Sequence, residues 1–435
     1  MKNPRFLAVR LLNKTFRSGS YSNIQLSSGL DSSDMAERDK RLCSVIYYGV
    51  IERKITLDHI IGGLSSRPLE KLDDTILNIL RSGIYQLMWM DNIPDNAAVN
   101  ESVSLAKQFG KTSASGMVNA ILRNFIRNKK IYPVPCDILN SASIMYSAPM
   151  WLVESLVGDY GSELMTDLLS DALEKAPVTV RRNHLRCSES EFLQALGKIS
   201  VDKYEKIPGC YMLDGGDPVS AVAFKNGFFH VQDKASQLCC MAVYPKENDC
   251  VLDICAAPGG KTFTMSEMMN GKGEIYSFDL HEKRVKLIRS GAERLGLTNI
   301  KALAGDASKF NDSLPNFSKI LCDVPCSGIG AVRRKPEIKY KDPKDFEKLP
   351  EIQYAIAENA LNYLEIGGEM VYSTCTLRRA ENDDVIDCLL KNHPEIEPVP
   401  FLEELGTPFG SYKASIFPKY FGSDGFFIAK IRKMR

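Results

Sequence analysis

Two cysteines stand in settings that favour chemistry: Cys326 in DVPCSG and Cys375 in YSTCT. A thiolate is a strong nucleophile, and the thiol proton, lost at about pH 8.5 in a free cysteine, is easily made more labile by its surroundings. One reaction that needs two thiols is methyl transfer to carbon 5 of a cytosine. That carbon is a weak nucleophile, so a thiolate adds first to carbon 6 and turns the ring into an enamine. The enamine takes the methyl group, and a base then removes the carbon 5 proton so that the thiol can leave. One cysteine serves as nucleophile and the other as base, and the residues alone do not divide the roles. Asp323, three positions before Cys326, supplies a carboxyl group for ring nitrogen 3. A single strand-end cysteine reads as a small buried hydrophobe. Cys250, Cys322 and Cys388 are read in that way, whereas the Pro-Cys-Ser-Gly and Ser-Thr-Cys-Thr settings set this pair apart.

A methyl donor needs its own site. The segment VLDICAAPGGKT puts Gly259 and Gly260 between an apolar run and a helical one, where glycine lets the backbone approach a ligand. The GKT resembles a phosphate loop, but that motif requires glycine five positions before Gly260, and residue 255 is Cys. Acidic residues recur at the ends of successive apolar runs: Asp253, Asp279, Asp306 and Asp323. An acidic residue one strand beyond a glycine loop accepts hydrogen bonds from ribose hydroxyls, which makes Asp279 the candidate ribose ligand. Strand-end aspartates also cap the following helices, and any one of the four could do only that. Carboxylates around a loop whose one cation is Lys261 suit S-adenosyl-L-methionine, with its sulfonium and ammonium, better than a pyrophosphate. Lys261 is read either as part of that site or as a partner for a neighbouring carboxylate.

These residues need a scaffold that brings strand ends together. From about residue 231 the pattern alternates: DCVLDIC, EIYSFDL, IKALAGD, SKILCDVPC, GEMVYSTC and GFFIAKIRK read as strands separated by helical segments. Such alternation predicts a doubly wound parallel sheet, with ligands at the carboxyl ends of its strands. Cys326 and Cys375 follow the fourth and fifth strands, which places both at one edge. Before this, residues 1–145 read as a succession of amphipathic helices, and residues 146–230 as one long helix with short strand-like runs, an α+β connector. The fold class is therefore multidomain: an all-α front, a small α+β connector, and a Rossmann-like α/β domain over 231–435.

The 435 residues carry 55 basic and 54 acidic side chains, 44% apolar residues and 25% charged ones, an ordinary globular composition with length for several cores. The start, MKNPRFLAVRLLNKT, is interrupted by Arg5, Arg10 and Lys14, unlike a signal peptide. No apolar stretch is long enough to span a bilayer, so a cytoplasmic protein is expected. Twelve cysteines without a CxxC pair, beside five histidines, speak against a metal site. The net charge of +1 hides an uneven distribution: 19 basic against 13 acidic residues over 1–145, 8 against 12 over 146–230, and 28 against 29 over 231–435. A basic helical front suits a general electrostatic grip on RNA. The basic run Arg333, Arg334 and Lys335, close to a base-modifying site, is read as a phosphate contact.

The ordered motifs LDICAAPGGKT, DVPCSGIGAVRRKPEIKY, YSTCTL followed by Glu381 and Asn382, and DGFFIAKIRK resemble those of the Sun family of RNA cytosine-5 methyltransferases. AERDKRLCSVIYYGV, LRSGIYQLMWM, NAAVNESVSLAK and ASGMVNAILRNF resemble the NusB-like helical RNA-binding domain carried by its RsmB branch. With YSAPMWLVESL and VQDKASQL, the resemblance covers nearly the whole chain. It implies S-adenosyl-L-methionine bound by Cys255, Ala256, Ala257, Pro258, Gly259, Gly260, Lys261, Asp279, Asp306 and Asp323. It also implies Cys375 as nucleophile, Cys326 as the thiol that releases product, and 16S ribosomal RNA as substrate; a monomer is expected. Lys234 stands where the family often has Glu, and Val324 where it often has Ala. Alternatives are a cytosine-5 methyltransferase of another RNA such as tRNA, a non-catalytic NusB-like RNA-binding protein, and a nucleotide hydrolase. The intact Cys326, Cys375, Asp323 and glycine loop count against the non-catalytic reading, and Cys255 against the hydrolase.

Overall fold

A computed structural model describes residues 3–18, 22–215 and 217–435, so Met1 and Lys2 of the basic start lie outside it. The chain forms two compact units, Met1–Glu174 with Val332–Lys341, and Lys175–Ala331 with Asp342–Arg435.

The first unit is helical: α1 (Pro4–Ser18), α2 (Ser22–Asp31), α3 (Glu37–Glu52), α4 (Lys54–Leu64), α5 (Asp74–Trp89), α6 (Asp95–Gln108), α7 (Ser115–Arg127), α8 (Ile138–Met145) and α9 (Met150–Asp171). Helix α7 shows why these segments coil. Val118, Ile121, Leu122 and Phe125 recur at helical spacing and are buried, while Arg123 and Arg127 stay in solvent. Helix α5 starts on Asp73, whose carboxylate accepts from the backbone N–H groups of Thr75 and Ile76. Neither α2 nor α8 was legible in the pattern. The α2 sequence, SNIQLSSGLD, is rich in serine and has a weak apolar stripe, so packing holds it. A Cβ at Gly29 would lie 2.8 Å from Leu11 Cδ2. The segment WLVESLVGDYGSELMTDLLSD is two helical stretches joined by a kink at Gly161, where φ is 81°. Residues 332–341 fold onto this unit, with Ser22 Oγ donating to Glu337 Oε2 at 2.8 Å and Lys339 Nζ to Glu52 O at 2.6 Å.

In the second unit a four-stranded antiparallel sheet comes first, built from β1 (Val178–Arg182), α10 (Glu189–Leu196), β2 (Ser200–Lys203), β3 (Cys210–Asp214), α11 (Val222–Lys225) and β4 (Phe229–Val231). Its order is β2-β3-β1-β4, and Val180, Phe192, Tyr211 and Phe229 fill its core. There follow α12 (Lys234–Val243), β5 (Cys250–Asp253), α13 (Gly260–Met268), β6 (Glu274–Asp279), α14 (Glu282–Leu295), β7 (Ile300–Ala304), β8 (Phe317–Asp323), α15 (Leu349–Tyr363), β9 (Leu364–Thr374), α16 (Asp383–Asn392), β10 (Ile396–Pro398), β11 (Lys413–Ile416), α17 (Pro418–Phe421) and β12 (Phe426–Lys433).

These strands form a sheet ordered β10-β12-β9-β8-β5-β6-β7, with β11 paired to β12. Alternate residues of β8 supply both cores, Ile320 and Cys322 on one face and Leu321 on the other. Strands β5 to β9 are mutually parallel, as the alternation predicts. The wholly parallel sheet is corrected at its end, since β12 runs antiparallel to β9, β10 and β11. A strand buried on both faces is apolar throughout in either direction, so its pattern carries no sign of orientation. The chain reverses on the two sides of β5, which pairs with β6 and β8, and loops leaving β5 and β8 open at this switch point.

Candidate active site

Strands β8 and β9 are neighbours in register, Cys322 opposite Tyr372 and Asp323 opposite Ser373. Their loops therefore leave the sheet side by side. Val324 N–H donates to Ser373 O at 3.1 Å and Gly330 N–H to Cys375 O at 3.0 Å. The result is a Cys326 Sγ to Cys375 Sγ distance of 3.3 Å, with both residues half-buried. The hydrogen bond to Cys375, then burial, then the charges of Cys375, Glu381 and Asp323 push the Cys326 thiol well above its ordinary range.

Asp323 sits at the base of the pair. Its Oδ1 accepts from Ser373 Oγ at 2.8 Å and its Oδ2 lies 2.7 Å from Lys261 Nζ. Burial works against the Lys261 ammonium, but the charge and hydrogen bond of Asp323 together with the charges of Cys239 and Cys240 outweigh it. Lys261 thus partners a neighbouring carboxylate that is itself a candidate cofactor ligand, so its two readings are compatible. The glycine loop follows β5. Gly259 has φ of 106°, a conformation that favours glycine, and a Cβ there would run into the Phe263 ring. Helix α13 starts at Gly260 with its first-turn N–H groups towards the loop. The loop is held by Ala256 N–H to Phe278 O at 2.6 Å, Gly259 N–H to Ala256 O at 2.8 Å and Arg284 Nη2 to Ala257 O at 2.6 Å. Cys255 is half-buried, and burial first of all raises its thiol well above the usual value, so it joins the loop as backbone rather than as a reactive group.

The four strand-end aspartates part company. Asp253 is buried, accepts from Thr262 Oγ1 at 2.7 Å, and is pushed up to about 7, chiefly by burial. It steadies the start of α13 and does not reach the cleft. Asp279 accepts from His281 N–H at 3.1 Å and pairs with Arg284 Nη1 at 2.8 Å. Asp306 accepts from Ser308 Oγ at 2.7 Å, which first of all holds its carboxyl below the usual range. Beside Asp306 lies a cavity of about 210 Å³ bounded by Phe278, Gly305, Ala307, Phe310 and Tyr363. Its apolar walls next to a carboxylate fit an adenosyl group, and Asp279 and Asp323 end their strands at the same edge of the sheet, paired with Arg284 and Lys261.

Several residues went unassigned in the sequence. The motifs give Glu381 no role and do not mark Gln353, yet both are buried between the two cysteine loops. Of the cysteines read as buried, Cys322 is so, Cys250 is half-buried and Cys388 exposed. In the basic run, Lys335 is exposed and Arg333 and Arg334 half-buried, whereas nearby Lys339 is buried. Lys234, the family departure, donates to Phe421 O at 2.7 Å and lies over the Tyr204 ring. No cluster of His, Cys, Asp and Glu that could hold a metal ion occurs among the described residues.

Family models match three successive stretches of the chain. A family model described as 16S rRNA methyltransferase RsmB/F matches residues 240–432, one described as NusB family matches 2–127, and one described as an RsmF/B-like ferredoxin-like domain matches 148–220. A Bacillus subtilis strain 168 protein named probable ribosomal RNA small subunit methyltransferase B is 36% identical over 440 residues, 99% of this chain and 98% of its own. A Synechocystis protein of the same name is 32% identical over 100% of both chains. One solved crystal structure superposes with a TM-score of 0.82 over 99% of both chains at 23% identity, a likeness of fold. A methyltransferase homologue from Pyrococcus horikoshii, 27% identical, superposes with a TM-score of 0.60 over 69% of this chain and 100% of its own.

Proposed function

From the premise that the chain belongs to the 16S rRNA methyltransferase RsmB/F family, and is thus an S-adenosylmethionine-dependent rRNA methyltransferase, we propose that it modifies carbon 5 of a cytosine through a covalent adduct. The observation that carries this reading is the 3.3 Å separation of Cys326 and Cys375 beside Asp323. Cys375 Sγ forms a bond to carbon 6, and the displaced electron pair makes carbon 5 nucleophilic. S-adenosylmethionine supplies an electrophilic methyl group on its sulfonium. Cys326 Sγ then takes the carbon 5 proton, the ring double bond reforms, and the bond to Cys375 breaks. Asp323 steadies the ring at nitrogen 3, with Lys261 holding the carboxylate.

The raised affinity of Cys326 for its proton supports this order of events. The proton stays on Cys326 while Cys375 attacks. Once Cys375 is a thioether its hold on that proton is gone, while burial, Glu381 and Asp323 still act on Cys326. Cys326 then passes its proton to solvent and, as a thiolate, takes the proton from carbon 5.

Residues 255–261, Asp279, Asp306 and Asp323 form the proposed cofactor site, supported by the cavity beside Asp306. Asp279 must then exchange Arg284 for the ribose. Three modules, 1–145, 146–230 and 231–435, are supported by the three family matches. Action as a monomer is supported by both thiols, the glycine loop and the carboxylates lying on one chain. No helix among the described residues is long and apolar enough to cross a membrane, and a cytoplasmic location suits a ribosomal RNA substrate. The target base must be unpaired or flipped out to reach the thiols.

The test is transfer of labelled methyl to 16S rRNA from a strain lacking the enzyme, with bisulfite mapping. One new 5-methylcytosine is expected. Methylation at another atom, or of tRNA alone, would sink the reading. Denaturing gels divide the thiols: Cys326→Ser should trap an RNA adduct and Cys375→Ser should form none, and the reverse pattern exchanges their roles.

A further inference from the structure

Glu381 is a fully buried carboxylate in the segment after Cys375, and its oxygens receive three donors. Oε2 accepts from Ser327 N–H at 2.8 Å and from Gln353 Nε2 at 3.0 Å, and Oε1 from Arg378 Nη1 at 3.0 Å. Gln353 Nε2 also donates to Pro325 O at 2.9 Å. The carboxylate thus grips the backbone on both sides of Cys326, directly at residue 327 and through Gln353 at residue 325. Its own backbone is fixed by Tyr372 Oη, which donates to Glu381 O at 2.6 Å from β9, the strand that leads into Cys375. A second tie, Ser327 Oγ to Thr376 Oγ1 at 2.8 Å, joins the residues that follow the two cysteines.

A buried charge with three donors is costly unless every bond is made, and simple packing of these loops could be done by apolar groups. The arrangement therefore points to a geometric task, since proton removal demands that the base stay within hydrogen-bond reach of its target. We propose that Glu381 is a positioning residue for product release, holding Cys326 beside Cys375 through Ser327 N–H and the Gln353 bridge to Pro325. It makes no contact with substrate, and it leaves bond formation by Cys375 to Cys375 itself. The inference rests on the division of roles between the thiols proposed above.

The experiment follows adduct and product separately, with full-length protein, 16S rRNA and S-adenosylmethionine. Glu381→Ala should form adduct at a rate within about 3-fold of the parent and release product at least about 10-fold more slowly, so that adduct accumulates. Glu381→Gln keeps one acceptor oxygen for Ser327 N–H and should restore part of the release rate. Gln353→Ala, which cuts only the bridge to Pro325, should accumulate adduct to a smaller extent and serves if Glu381→Ala does not fold. In a Cys326→Ser background, Glu381→Ala should add less than about 2-fold, because both act on one step. Equal loss of adduct formation and release in the Glu381 variants, or no accumulation in any of them, overturns the proposal. Cys326→Ser and Cys375→Ser run alongside: if they fail to trap and to abolish adduct, the division of roles fails, whereas if they behave and the Glu381 and Gln353 variants do not, this inference alone falls.

Discussion

The two ends of the β8 and β9 pair handle charge in opposite ways. Away from the catalytic edge, Glu369 at the middle of β9 lies opposite Lys319 on β8 and Arg432 on β12, with Lys430 Nζ at 2.9 Å and Arg432 Nη2 at 2.8 Å from its carboxylate. Burial opposes the charge, but hydrogen bonds from Lys319, Arg432 and Lys430 outweigh it and hold Glu369 down at about 2. At their carboxyl ends, the Cys326 thiol is pushed upward by Cys375, burial and the carboxylates around it. The first arrangement makes the ionised form the comfortable one and ties three strands together. The second keeps a group in a state it can leave within the cycle, which a reaction needs and a scaffold does not.

Substitutions at the two ends should therefore separate activity from stability. Cys375→Ser replaces the nucleophile by a hydroxyl and is expected to lower turnover by at least roughly 10⁴-fold, while changing unfolding free energy by less than about 1 kcal/mol. Glu369→Gln should do the converse. It leaves the buried Lys430 ammonium and Lys319 without their carboxylate, a loss on the order of 3 kcal/mol at neutral pH by urea unfolding. The folded fraction should still form adduct. The stability difference from the parent should shrink as pH falls from about 5 towards 3, because the Glu369 contribution is present above its unfolded value of about 4.3 and fades as pH drops towards its folded value. A Glu369→Gln protein of parental stability, or one that is folded but unable to form adduct, would break the comparison.

The same contrast explains what could be read in advance. Alternating strand and helix patterns place every second loop at one edge of a parallel sheet, so the neighbouring of Cys326 and Cys375 followed from their positions after SKILCD and EMVYST. The antiparallel course of β12 did not follow, because FFIAKIRK is buried in either direction. Nor did the pairings: Lys261 with Asp323 is 62 residues apart and Ser327 with Glu381 is 54, and nothing in a local pattern sets such distances. Asp253 and Asp279 look alike in sequence, each ending an apolar strand. The fold buries both, the first against Thr262 and the second beside Arg284. The local pattern does not mark helix α2 because its serine-rich sequence has a weak apolar stripe, and the approach of Gly29 to Leu11 is a tertiary contact.

Asp253 sharpens the comparison, since it is a carboxyl group at the catalytic edge with the opposite pH behaviour to Glu369. Burial, only partly offset by Thr262, raises its folded value to about 7, against about 3.9 in an unfolded chain. Between those values the folded state holds a proton that the unfolded state has released. The stabilising contribution of protonated Asp253 is therefore complete below about pH 4 and is lost as pH rises through about 7. Asp253→Asn stays neutral at every pH and keeps an acceptor for Thr262 Oγ1. It should remove that decline and raise stability at pH 8 by about 1 to 2 kcal/mol, a smaller effect than at Glu369 because water and local relaxation temper buried charge. Unfolding midpoints of parent and variant measured from pH 5 to 8 check it: the curves should diverge as pH rises, whereas those of parent and Glu369→Gln should converge as pH falls. Parallel curves for Asp253→Asn would mean that the carboxyl is ionised at neutral pH with a partner at its second oxygen, and the catalytic edge would then handle its buried acid just as the anchoring edge does.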